Sequence, residues 1–195
     1  MKTKLLARLA LVLVVAELAL VLCSWLLAAT NTEGVRSLLS QEGIRWFFGS
    51  FVAFQASPWL VWLLLLAMAG GCLWQSSLCS PSFAKGYRNR LAAWLMVVAL
   101  MAYVGLIVLL TALPHAQLLS ATGHLFPSAF SRALVPVIAF GVLLAAFVYG
   151  WGSGSFASGT DVFRSMAFGV KAAAPLLVVY VLLVQFVESL RFVFL

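Results

Sequence analysis

The chain has 195 residues, 65% of them hydrophobic and 9% charged, with twelve Lys and Arg against five Asp and Glu for a net charge of +7. A mean hydropathy of +1.13 excludes a soluble globular protein of this size, whose surface would need far more charge. The basic excess is not a nucleic-acid footprint, because no basic patch is interleaved with solvent-facing aromatics.

Five apolar runs follow in chain order: Leu9–Ala29, Trp59–Trp74, Leu91–Leu113, Ala133–Trp151 and Ala172–Val187. A helix needs about 20 apolar residues to cross the hydrocarbon. The first, third and fourth meet that, whereas the second and fifth need flanking turns. The expected spans are 9–29, 58–75, 91–113, 133–151 and 172–190, in one integral membrane domain covering 1–195. The fold class is an all-α membrane protein of five transmembrane helices plus interfacial helices.

The first run begins after the basic Met1-Lys2-Thr3-Lys4 and reads either as an anchor or as a cleaved signal peptide. Its length, Glu17 in its middle and the missing A-x-A site favour the anchor. Together with the ending at Phe194-Leu195, this start is compatible with a complete chain, and a fragment of a longer ancestor is the open alternative. Residues 40–54 form an expected interfacial helix, since Ile44, Phe47, Phe48 and Phe51 share a stripe. Ser40 suits its N-cap, while Arg45 and Trp46 suit the headgroup level. A break follows at Ser57-Pro58, proline being favoured at a first helical position. Residues 76–90 read as a Ser-, Pro- and Gly-containing basic loop. The 114–132 segment holds Pro114, His115, Gly123, His124 and Pro127; two histidines nine residues apart without an acid are a poor metal site. The Gly150-Trp151-Gly152-Ser153-Gly154 turn leads to a second interfacial helix at 160–170, capped near Thr160 and carrying Asp161, Val162, Phe163 and Met166.

Lys and Arg placement predicts a cytoplasmic N-terminus and an external C-terminus. Lys2, Lys4, Arg8, Lys85, Arg88, Arg90, Arg164 and Lys171 then lie inside, against Arg36, Arg45, Arg132 and Arg191 outside. Glu33, Glu42 and Glu188 also fall outside. Cys23 sits at membrane depth and Cys72 and Cys79 near the inner face; an odd total of three, with the pair on the reducing side, argues against structural disulfides.

Glu17 is the lone charge within the five apolar runs. It is either a proton-coupling group or a protonated acid hydrogen-bonded to a neighbouring helix, with no Lys or Arg at its depth to pair with. Gln185 is the other deep polar residue, suited to interhelical hydrogen bonding; Thr111 and Ser24 complete a short inventory. Ala67-x-x-x-Gly71, Gly141-x-x-x-Ala145 and Ala146-x-x-x-Gly150 are small-residue pairs for close helix contact. Catalysis is not expected. Ser153-Gly154 has Trp151 where a rhomboid-type serine motif needs Gly, and the alternating glycines lack the Lys-Ser/Thr of a phosphate loop. No cofactor or metal is implied.

Two islands resemble a known family. Glu42-Gly43-Ile44-Arg45-Trp46, through Phe51 to Ser57-Pro58-Trp59-Leu60 and Ser76-Ser77-Leu78, is similar to the helix and broken second helix of the AbgT family of p-aminobenzoyl-glutamate transporters and antimetabolite exporters. Tyr149-Gly150, Gly154-Ser155, Asp161-Val162, Met166, Ala174-Pro175 and Gln185-Phe186 resemble a run in the C-terminal part of that family's scaffold. Family members are much longer. The re-entrant hairpins and broken helices that hold substrate and coupling ion have no counterpart here, and the acid near the end of the second helix stands as Trp74. The resemblance therefore implies a reduced chain of the bacterial inner membrane that keeps the self-associating frame. Its partners would be the lipid bilayer and a second copy or another membrane protein, with no substrate-binding residue to carry over. A minimal oligomeric transporter using Glu17 is the alternative.

Overall fold

The computed structural model describes residues 2–30, 34–79, 86–112 and 129–195. Among them all regular structure is helical: α1 Lys2–Ala29, α2 Gln41–Gln55, α3 Pro58–Gln75, α4 Tyr87–Ala112, α5 Ala129–Ser153 and α6 Gly159–Phe194. Five of the six, α2 being the exception, are long and apolar enough to cross a membrane. The expected spans fall on α1, α3, α4, α5 and the second half of α6. Glu33, Lys85, His115 and His124 lie outside the described residues, as do Pro114, Gly123 and Pro127.

The helix expected at 160–170 is not a separate element. α6 runs unbroken for 36 residues, because nothing between Met166 and Pro175 stops it: Ala172, Ala173 and Ala174 are strong helix formers, and Gly169 is seated in a packing contact. The cap falls beside Thr160, as expected: the Asp161 carboxylate accepts the N–H groups of Ala157 at 3.1 Å and Ser158 at 3.0 Å, along with the Ser158 hydroxyl at 3.2 Å. The acid thus satisfies donors just ahead of the helix and sits where the helix dipole favours a negative charge.

The residues form two compact units, one made of Met1–Val61 with Ala173–Leu195, the other of Trp62–Ala172. In the first unit α1 and α6 run parallel. Glu17 meets Ser189, and seven residues further on the buried Ser24 hydroxyl accepts the Leu38 N–H at 3.2 Å beside Val193. Val193, fully buried, also accepts the Arg36 N–H through its carbonyl at 3.0 Å. The segment between α1 and α2 is thereby tied to the end of α6. α2 runs antiparallel to α6: Trp46 stacks on Phe192 at 4.4 Å, the Gln55 amide donates to the Val181 carbonyl at 3.2 Å, and Ser57 bonds Tyr180. Ser40 caps α2 as expected, accepting the Gly43 N–H at 3.0 Å. The α2 stripe behaves differently from its counterpart in a soluble protein. Phe48 is 78% exposed, and Ile44 and Phe51 are exposed too. Gly43, Trp46 and Phe54 form the inward side instead. In lipid an apolar stripe needs no protein cover, so small and aromatic residues that permit close contact choose the packed face.

In the second unit α3 lies antiparallel to the first part of α6, with backbone nearly on backbone. A Cβ at Gly71 would lie 2.6 Å from the Gly169 Cα, and one at Gly169 would lie 2.8 Å from the Gly71 Cα and overlap the Ala67 carbonyl. α4 and α5 are antiparallel as well: Ala92 opposes Gly152 and Tyr103 opposes Gly141, eleven residues along each helix. Cys72, Ala146, Phe156 and Val162 make the core where α3, α5 and α6 converge.

Candidate functional site

In the first unit a chain of polar side chains links α1 and α6. Gln185 Nε2 donates to Ser189 Oγ at 3.4 Å, and Ser189 Oγ donates to Glu17 Oε1 at 2.6 Å. Four residues along one helix put Gln185 and Ser189 on the same face, turned to α1. Ser189 is fully buried and Gln185 is buried. Two acceptors, Glu17 Oε2 and Gln185 Oε1, are shielded from solvent and have no hydrogen-bond partner among the described residues. Gln185 therefore reaches α1 through Ser189 rather than directly. Ser189 escaped the sequence reading because a serine one residue after Glu188, near a helix end, looks like an interfacial residue; its i+4 spacing from Gln185 was the available signal. Glu17 can accept one hydrogen bond from a neighbouring helix and hold a proton on its other oxygen. No Lys or Arg among the described residues forms an ion pair with it.

Two recesses of about 380 Å³ each flank α4 and α5 in the second unit, both reaching Tyr103 and Val137. Leu65, Met68, Pro136 and Leu143 line one; Leu100, Ile107 and Ile138 line the other. Their one polar side chain, the Tyr103 hydroxyl, donates to the Val137 carbonyl at 2.9 Å. Walls of this kind hold hydrocarbon and offer nothing to orient a charged solute.

The residues that carried the family resemblance have mechanical surroundings. A Cβ at Gly43 would overlap the Ser37 and Leu38 carbonyls, and one at Gly150 would overlap the Phe156 ring. Tyr149 is buried. Gly154 ends α5 at φ +83°, a conformation that suits glycine, and packs on the Arg88 guanidinium, whose Nε donates to the Gly152 carbonyl at 3.2 Å. Pro58 opens α3 and Pro175 lies inside α6. Glu42 and Arg45 are exposed on the first turns of α2.

Ser153 Oγ lies 3.3 Å from the Gly150 carbonyl and 3.1 Å from Ser155 Oγ, a helix-end bonding pattern. The described Cys and acids form no group able to hold a metal ion. Cys72 is buried, while Cys23 and Cys79 are exposed and all three are free. No family model, curated protein or solved structure matches this chain.

Proposed function

We propose that this chain is a non-enzymatic, AbgT-like multi-pass membrane protein reduced to its frame, acting as a scaffold or accessory subunit of a transport or envelope assembly in the bacterial inner membrane. The observation that carries the reading is the use of the resembling residues. Gly43, Tyr149, Gly150, Gly154 and Asp161 hold turns, caps and close helix contacts, while the recesses have hydrocarbon walls. Such a chain supplies rigid surface rather than a solute path, and its partner is a second copy or a larger membrane protein. The parallel run of α1 and α6, with α3, α4 and α5 between them in sequence, supports an N-terminus and a C-terminus on opposite faces. The Lys and Arg bias then favours a cytoplasmic N-terminus.

The alternative is a minimal proton-coupled exporter working as an oligomer, favoured by the unpartnered Glu17 Oε2 and Gln185 Oε1 at span depth. Reconstitution of the purified chain into liposomes separates the two. The scaffold reading expects no proton-driven flux of p-aminobenzoyl-glutamate-like anions. Flux that disappears in Glu17→Gln while the fold persists would replace it with the alternative.

A further inference from the structure

Where α6 ends in the first unit, Arg36, Glu42, Trp46, Glu188, Arg191 and Phe192 wall a cleft of about 340 Å³, within the usual range for small-ligand sites of roughly 300–1,000 Å³. Two guanidinium groups and two carboxylates surround an aromatic wall made by Trp46 stacked on Phe192 at 4.4 Å. Arg191 and Glu188 pair with each other at 2.9 Å. Arg36 and Glu42 form no ion pair among the described residues, and each is held by its own backbone support. The Arg36 N–H is bonded to the Val193 carbonyl, and Glu42 stands in the first turn of a helix whose N-cap is Ser40. A cation and an anion are thus presented together beside an indole, next to the lipid-facing side of α2.

We propose that this cleft binds the zwitterionic headgroup of a phosphoethanolamine phospholipid, with the phosphate on Arg36 and the ammonium on Glu42 against Trp46. A guanidinium fork matches a phosphate, and an ammonium group gains from a carboxylate and an indole together. The balance of charge selects the class. A headgroup carrying only negative charge satisfies Arg36 but leaves Glu42 facing like charge, whereas a zwitterion satisfies both. Trp46 also suits headgroup depth. Such a site would serve a scaffold and a transporter alike, so it does not depend on which function holds.

Native mass spectrometry of the full chain in detergent, with long-chain phosphatidylethanolamine and phosphatidylglycerol offered separately, tests this. The wild type should retain phosphatidylethanolamine preferentially, and Arg36→Gln and Glu42→Gln should each lower that retention roughly tenfold, the loss of one charge-assisted contact. Glu42→Gln should leave phosphatidylglycerol retention equal or higher, a selectivity change that general unfolding would not give. Equal retention of the two lipids by the wild type, or unchanged phosphatidylethanolamine retention in either variant, would overturn the proposal. Soluble glycerophosphoethanolamine in large excess should displace the lipid; failure to do so would place recognition in the acyl chains and overturn the headgroup assignment. Tighter binding of the soluble headgroup than of the lipid would assign the cleft to a free zwitterion and overturn the lipid source.

Discussion

Gly70 and Gly71 are neighbours on α3 with opposite surroundings, which makes them a matched pair for testing the seam between α3 and α6. A Cβ at Gly70 meets nothing within 4 Å; at Gly71 it would fall 2.6 Å from the Gly169 Cα and N and overlap the Ser165 carbonyl. Ordinary carbon contacts sit at about 3.5–4.0 Å, so Gly71→Ala must push the two helices apart by roughly 1 Å. A gap of that size forfeits about a quarter to a half of each dispersion contact along the seam, and overpacking of this kind costs about 1–3 kcal/mol. Gly70→Ala gains up to about 1 kcal/mol of helix propensity. The propensity gain is common to both substitutions, so Gly71→Ala should be less stable than Gly70→Ala by the overpacking cost, about 1–3 kcal/mol. Equilibrium unfolding in mixed detergent, followed by helix circular dichroism, reads the difference. A Gly71→Ala protein as stable as Gly70→Ala would refute the close α3–α6 approach.

Removing the Ser189 hydroxyl strands Glu17 Oε1, so Ser189→Ala should cost about 1–2 kcal/mol, while Glu17→Leu combined with Ser189→Ala should recover most of it. Equal stability of the single and double variants in the same unfolding assay would show that the pair contributes nothing. Phe156, 4% exposed against Gly150, should cost about 3–5 kcal/mol when truncated to Ala, visible as a fall in midpoint. Asp161→Ala should speed hydrogen exchange at Ala157, Ser158 and the first turn of α6 and leave the amides of α1 unchanged. Exchange at those amides unchanged between the wild type and Asp161→Ala would remove the capping role.

The membrane class and five helices were legible because apolar length needs no partner to be read. The Ser40 cap and the Ser57-Pro58 break were legible for a similar reason, since caps and proline act within a few residues. Depth was harder to read. Lys171 looked like the boundary of a span, but a long side chain can reach away from apolar surroundings while the backbone continues as helix, and α6 does continue. The Ile44, Phe47, Phe48 and Phe51 stripe gave the helix but not its packed face, because lipid and protein interior reward the same residues. Ser189 was invisible as a partner for Glu17, since 172 residues separate them and the parallel pairing of α1 and α6 follows from the fold alone. The small-residue pairs were legible as contact points without their partners. Ala67 and Gly71 turned out to face Gly169, which itself stands in Ser165-x-x-x-Gly169 and Gly169-x-x-x-Ala173.

The most direct test of the scaffold proposal is the mass and composition of the particle that carries a tagged chain when it is extracted gently from its native membrane. A stoichiometric larger membrane protein, or a homodimer inactive in liposomes, is the predicted result. A lone monomer that drives proton-coupled flux after reconstitution would contradict it.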